Sequence, residues 1–232
     1  MTPTPLLLLP GLLCDRALWQ SQIHDLNDAA DCRVPDLGGH DSMAALAAAV
    51  LAQAPPRFAV AGLSMGGYVA LEILRQAPER VMRLALLDTS ARADTPEQRQ
   101  RREDLMALAR QGRFKGVTPR LLPLLLHPER LADQALVDTV MGMAERVGAE
   151  AFLRQQTAIM GRSDSRELLP GIRCPSLVLC GRQDALTPLE RSLEMADAIP
   201  GARLSVLEQC GHLSSLEHPT RVSAALRAWL ED

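Results

Sequence analysis

Ser64, Asp184 and His212 are the side chains whose types and order suit nucleophilic catalysis. Ser64 sits in Gly62-Leu63-Ser64-Met65-Gly66-Gly67. The segment before it, Arg57 to Ala61, reads as a buried strand, and the segment after it, Tyr68 to Leu74, as a helix. A serine set between two glycines at a strand-to-helix turn is a nucleophile elbow. Strand and helix backbones come so close at Gly62 and Gly66 that a Cβ would clash. Ser64 is expected to adopt a strained conformation that pushes its hydroxyl outward. The new helix aims free N–H groups and its positive dipole end at the same spot. The pattern alone arises by chance in about one chain in ten of this length, and its plainer reading is a glycine-rich turn whose serine caps the helix. Context has to decide.

A serine hydroxyl is a weak nucleophile at neutral pH and needs a neighbouring base. His212, in Cys210-Gly211-His212, is the candidate base, taking the serine proton and giving it to the leaving group. Asp184, in Gly181-Arg182-Gln183-Asp184, is the candidate acid that orients the imidazole and stabilises its charged form. The plainer role for Asp184 is to cap a turn before Thr187-Pro188, and Asp88 is the rival acid. Among the other histidines, His24 falls on a predicted surface helix and His40 in a turn. His218 precedes the last helix, and His127 lies in a leucine-rich stretch where a packing or surface role is the default. Cys14 and Cys210 flank the site, each with the default reading of a small buried thiol.

These groups are positioned by an alternation of strands and helices. Strands are predicted at Leu6 to Leu9, Cys32 to Asp36, Arg57 to Ala61, Arg83 to Asp88, Ser176 to Cys180 and Arg203 to Leu207. Helices are predicted at Trp19 to Leu26, Met43 to Ala54, after the elbow, Pro188 to Ala198 and Pro219 to Leu230. Such alternation implies a parallel sheet with helices on both faces. The loops bearing Ser64, Asp184 and His212 then emerge at one edge, where ligands bind. From Ala91 to Leu169 the strands stop; Thr95-Pro96-Glu97 starts a helix with Pro in its first turn. Residues 91–169 therefore read as a helical cap inserted into a core of residues 1–90 and 170–232.

The order Ser, Asp, His and the tail motifs Leu179-Cys180-Gly181-Arg182-Gln183-Asp184 and Gly211-His212 resemble those of the α/β-hydrolase superfamily. The resemblance covers nearly the whole chain. It implies the α/β-hydrolase fold, a mostly parallel sheet of about six strands with helices on both faces and a helical cap. The first strand matches the family's third, so the expected spatial order is 2-1-3-4-5-6. The oxyanion donors it implies are the backbone N–H of Met65, after the nucleophile, and one from the loop after the first strand. The resemblance assigns the latter to Leu12, with Leu13 as the alternative; Pro10-Gly11 stands where many relatives carry His-Gly. A serine at the elbow separates the chain from the epoxide hydrolases and haloalkane dehalogenases, which carry Asp there.

The activity so implied is that of a serine hydrolase, a carboxylesterase on small to medium acyl esters working through an acyl-enzyme. Length and cap placement look like those of enol-lactonases and pimeloyl-carrier-protein methyl esterases. The alternatives are enol-lactone hydrolysis, another serine-triad activity (perhydrolase, C–C hydrolase or lyase), or a small-ligand sensor without turnover. A leucine-rich cap with Met141, Met143 and Met160 suits an apolar substrate portion. Leu13, Leu125 and Met143 are expected to line its pocket. The implied partner is a small-molecule ester or lactone, with no metal and no organic cofactor, in a monomer or homodimer.

Bulk properties agree. At 232 residues and 47% hydrophobic content the chain makes one well-filled domain, or one domain with a large insertion. A net charge of −3 without a basic stripe, and 3% aromatic residues, argue against nucleic acid as a partner. The five cysteines form no C-x-x-C pair, which favours reduced thiols in a cytoplasmic protein over disulfides or zinc. No signal peptide and no membrane span are expected, since Met1 to Pro5 has no positive charge and Pro10-Gly11 cuts the leucine run.

Overall fold

Six short strands pair into one wholly parallel sheet in this computed structural model, which describes residues 3–231. Met1 and Thr2, on which part of the leader reading rests, and Asp232 lie outside the described residues. The strands are β1 (Thr4–Leu9), β2 (Ala30–Arg33), β3 (Phe58–Leu63), β4 (Val81–Leu87), β5 (Ser176–Gly181) and β6 (Arg203–Leu207), and their spatial order is β2-β1-β3-β4-β5-β6. That is the expected order. The helices are α1 (Gln20–Asp25), α2 (Met43–Gln53), α3 (Met65–Gln76), α4 (Pro96–Leu108), α5 (Leu122–Leu125), α6 (Gln134–Met160), α7 (Leu189–Ala198), α8 (Ser214–Glu217) and α9 (Pro219–Glu231). Among the described residues no helix is long and apolar enough to cross a membrane.

The central strands are mostly apolar because both faces are covered. Successive side chains alternate between two hydrophobic clusters. Leu6, Leu8, Ala59, Ala61, Leu177 and Leu179 enter one, with Trp19 and the α9 residues Val222, Leu226 and Trp229. Leu7, Leu9, Phe58, Val60 and Val178 enter the other, with α2, α3 and Met195 of α7. β2 falls two residues earlier than its sequence suggests. Its register with β1 runs from Thr4↔Ala30 to Leu7↔Arg33. Beyond it Pro35 has no N–H for a ladder, and Asp36 instead accepts the Gly38 N–H at 2.8 Å in a tight turn.

Between β4 and β5 every element is helical. Thr95 caps α4 in a reciprocal capping box with Gln98, with Pro96 in the first turn. α6 is broken at Gly148, whose φ 76° and ψ 175° only glycine adopts at ease. Before and just after the break, Val140, Met143 and Phe152 join the first cluster. Further on, Ala158 and Ile159 join the second, so this helical segment spans from one face of the sheet to the other. It is fastened to loops at the carboxyl ends of the strands: Arg154 donates to Gly38 O, Arg162 to Arg92 O, and the Ser165 N–H to Ala91 O.

Backbones approach very closely where α3 leaves β3. A Cβ on Gly66 would lie 2.1 Å from Leu9 O of β1, and one on Gly62 would lie 2.3 Å from Gly66 O. Both contacts are backbone to backbone and cannot be relieved by a rotamer change. Gly66→Ala should therefore cost about 3 kcal/mol or more, a fall in Tm of roughly 6–12 °C for a chain of this size. Gly39→Ala, where a Cβ meets nothing within 4 Å, should melt within about 2 °C of the parent protein. Thermal melts of the two variants check this directly.

Candidate active site

The elbow forms because three backbones meet at those glycines. Ser64 is left at φ 56°, ψ −116°, a region that residues with a side chain avoid. Its N–H donates to Leu87 O at 2.9 Å, and its carbonyl accepts the Thr89 hydroxyl at 2.7 Å. These two bonds, from the end of β4 and the loop beyond, hold the strained residue. Its side chain makes no cap bond to α3, so the capping reading of Ser64 does not hold. The hydroxyl points instead to His212, whose Nε2 is 2.9 Å away.

The structure brings Ser64, His212 and Asp184 into one chain of contacts. His212 Nδ1 lies 2.8 Å from Asp184 Oδ2. Asp184 also caps the turn after β5: Oδ1 accepts the N–H groups of Leu186 and Thr187 at 2.8 and 2.9 Å, and Oδ2 accepts the Thr187 hydroxyl at 2.6 Å. The two readings of Asp184 are thus both met by one side chain. The His212 backbone N–H donates to Leu125 O at 3.0 Å. The carboxylate of Glu217 accepts the N–H groups of Gly211 and His127, at 3.0 and 2.7 Å. The helical segment and the histidine loop are thereby joined.

Asp88, the rival acid, makes no hydrogen bond to His212. Its Oδ1 accepts the Gly181 N–H at 2.8 Å, and its Oδ2 accepts the Ser214 hydroxyl. It therefore ties the loop after β5 to the loop after His212. Burial, and the neighbouring Asp184 charge, push its pKa up to about 8, so a second full negative charge beside Asp184 is disfavoured. Burial also opposes charge on Asp184, but the facing His212 and the Thr187 donors hold its pKa below the usual carboxylate range. Burial alone would lower the His212 pKa; Asp184, by its charge and its hydrogen bond, holds it above the ordinary histidine value. Asp184 thus stabilises the positive charge that the ring acquires whenever Nε2 takes up a proton.

The two proposed oxyanion amides differ from their neighbour. Met65 opens α3, so its N–H has no partner within the helix. Gly11 O accepts the Cys14 N–H at 3.1 Å, which makes Leu12 and Leu13 the middle of a turn. The Leu13 N–H is already committed to Gln155 Oε1 at 3.1 Å, so Leu13 does not serve as the alternative donor. Met143 is wholly buried and exposes no surface to a substrate. Its helix presses it into the first cluster, contrary to the expectation that it lines the pocket. Leu125 is half-buried, and Leu13 is 8% exposed. His24 and His40 are exposed, His218 Nε2 donates to Gln209 O, and His127 Nδ1 accepts the Glu129 N–H. All five cysteines are free thiols. Burial pushes the Cys14 pKa up to about 12 and that of Cys210 higher still, which keeps both thiols protonated and inert. Among the described residues no group of three or more His, Cys, Asp or Glu side chains is placed to hold a metal ion.

Gln155, Glu217 and Ser214 carry parts of this arrangement that sequence reading did not single out. Gln155 had a signal: it sits on the apolar stripe Ala151, Phe152, Ala158, Ile159, where a polar side chain needs buried partners.

The profile of the alpha/beta hydrolase family matches residues 6–225. The pimeloyl-[acyl-carrier protein] methyl ester esterase of Nitrosomonas europaea is 29% identical over 230 residues, covering 92% of this chain and 90% of that protein. A thermophilic esterase from Thermogutta terrifontis is 33% identical with a TM-score of 0.89, over 99% of this chain and 90% of that one. The enol-lactonase of Burkholderia xenovorans LB400, 24% identical, shares the fold with a TM-score of 0.90 over 100% and 93% of the two chains.

The pKa directions carry a sign that is measurable. A histidine raised in the folded state adds stability below its ordinary value and loses it as pH rises through the folded pKa; a depressed carboxylate adds stability above its ordinary value and loses it as pH falls. In a ring-nitrogen NMR titration His212 should change charge above pH 6.5. In Asp184→Asn the carboxylate is gone and desolvation remains, so the midpoint should move down. A midpoint unchanged by the substitution would show that Asp184 does not set the charge of the imidazole.

Proposed function

The chain belongs to the alpha/beta hydrolase family, and we propose that it is a serine carboxylesterase cleaving small to medium acyl esters through an acyl-enzyme. One observation carries the reading: His212 Nε2 lies 2.9 Å from Ser64 Oγ, with Asp184 Oδ2 2.8 Å from the other ring nitrogen. In the proposed reaction Ser64 Oγ bonds to the ester carbonyl carbon while Nε2 takes the hydroxyl proton. The carbonyl oxygen becomes an oxyanion facing the Leu12 and Met65 amides. Collapse breaks the bond to the alcohol, which departs with the proton from Nε2. Water, deprotonated by the same nitrogen, then attacks the acyl carbon, and Ser64 recovers its proton as the acid leaves. Asp184 stays ionised throughout and fixes the tautomer in which Nδ1 carries the hydrogen.

On this reading residues 91–169 act as a cap over the carboxyl-end loops, and the half-buried Leu125 borders the acyl group. The identity with named esterases supports ester cleavage. The free thiols fit a reducing, cytoplasmic setting. Steady turnover separates an enzyme from a small-ligand sensor, which would give no more than a single slow burst.

A fluorophosphonate probe should label the parent protein and not Ser64→Ala, and p-nitrophenyl butyrate should be turned over steadily only by the former. Asp184→Asn should lose roughly 10⁴-fold in kcat, as the same change does in the serine-protease template. Asp88→Asn, which keeps an acceptor for Gly181 and requires the Ser214 hydroxyl to turn from donor to acceptor, should stay within about tenfold, since the shape is preserved and no contact to His212 is lost. Labelling that survives Ser64→Ala, or a larger loss in Asp88→Asn than in Asp184→Asn, would overturn the assignment.

A further inference from the structure

The turn from Gly11 to Cys14 is packed on the nucleophile: a Cβ built on Gly11 would lie 3.4 Å from Ser64 Cβ. The turn is also strained. Leu13, its second central residue, has φ 58°, as the third residue of a type II turn requires, and that position is one for glycine or asparagine. Turning over the Leu12–Leu13 peptide would let leucine return to negative φ. Two side chains oppose this: the Cys14 thiol donates weakly to Leu12 O at 3.4 Å, and a glutamine from the helical segment holds the other side of the peptide. Gln155 Oε1 accepts the Leu13 N–H at 3.1 Å, and Gln155 Nε2 donates to Leu37 O at 3.3 Å. The side chain is 1% exposed. Its amide therefore uses an acceptor and a donor on two loops, one after β1 and one after β2, with no water to replace either.

We propose that Gln155 is a positioning residue that anchors the strained Gly11–Cys14 turn, through the Leu13 N–H, in its place beside Ser64 and so holds the Leu12 amide, one peptide earlier, within reach of the oxyanion. The inference rests on the esterase reading above. It makes α6 a contributor to transition-state stabilisation as well as to enclosure of the substrate. Gln156, next to it in α6 and equally buried, is a natural control. Its Oε1 accepts Arg102 Nη1 at 2.8 Å within the helical segment, and its side chain is not hydrogen-bonded to either loop. The two glutamines thus match in burial and differ in what they hold.

The test compares Gln155→Met and Gln156→Met with the parent enzyme, using p-nitrophenyl butyrate turnover and the affinity of a trifluoromethyl ketone, whose hemiketal oxygen occupies the oxyanion position. Gln155→Met should lose about 10- to 100-fold in kcat with KM little changed, less than the roughly 100- to 1,000-fold cost of deleting a donor outright. It should lose a like factor in ketone affinity. Its rate of fluorophosphonate labelling should keep the parent's pH midpoint, because the Ser64–His212–Asp184 contacts are untouched. Gln156→Met should keep kcat and ketone affinity within about twofold even if its melting point falls as far. Gln155→Glu, whose neutral carboxyl offers the same acceptor and donor, should recover most of the loss. Gln155→Asn, one methylene short of both partners, answers the same question if the methionine variant does not fold. Parental kcat and ketone affinity in a folded Gln155 variant, or equal losses in the two glutamine variants, would overturn the clamp and leave the esterase reading standing. A parent protein that hydrolyses no ester would overturn both.

Discussion

The molecule depends on one close contact, the approach of the α3 backbone to the ends of β1 and β3 at Gly66 and Gly62. Everything chemical is arranged around it. With no side chain at either position, α3 starts abruptly out of β3 and Ser64 is held at positive φ. The same approach brings Leu9 and Pro10 of the first strand against α3, which places the following turn beside the serine. Ser64 and the turn that carries the Leu12 amide are thus set by one steric fact. The strain at Ser64 is sustained by surrounding hydrogen bonds from Leu87 and Thr89 and by a sheet buried on both faces.

A second constraint is electrostatic. Three carboxyl groups, Asp88, Asp184 and Glu217, are buried around a single buried imidazole. A low-dielectric site does not hold three unpaired negative charges. The structure divides the roles. Asp184 faces the imidazole and carries the charge that stabilises it. Asp88, whose pKa is raised by burial and by Asp184, works as a hydrogen-bonded tie. Glu217, its pKa raised by burial, has backbone N–H groups from two loops arrayed on its oxygens. Asp88 and Asp184 end adjacent loops, and their different ionisation follows from what each faces: solvated neither, but only one opposite a base.

The helical segment between β4 and β5 holds both sides of this arrangement through the backbone. Leu125 O receives the His212 N–H on one side; Gln155 receives the Leu13 N–H on the other. Its α6 helix reaches both hydrophobic clusters, so moving it would disturb the packing on each face of the sheet. A segment that a strand-by-strand reading sets apart as an insertion is therefore mechanically continuous with the loops that present Ser64 and His212.

The sequence by itself determined the local and periodic features. The six apolar runs, the Gly-flanked Ser64 turn, the order Ser64, Asp184, His212 and the helix start at Thr95-Pro96 are written in neighbouring residues, because strand burial, glycine crowding and capping are short-range effects. The alternation of strand and helix also leads to a parallel sheet, since each crossover has one handedness. What only the tertiary structure decided are the partners brought together across long stretches of chain. Asp88 and Asp184 both end strands; which one meets His212 depended on how three loops pack. Met143 and Leu125 are both apolar residues of one segment; which is wholly buried depended on the path of α5 and α6 over the sheet. Gln155 advertised a need for partners, but not that they are Leu13 and Leu37, more than a hundred residues earlier. A hydrogen bond is satisfied by geometry alone, and residue order places no limit on which distant backbone group arrives to make it.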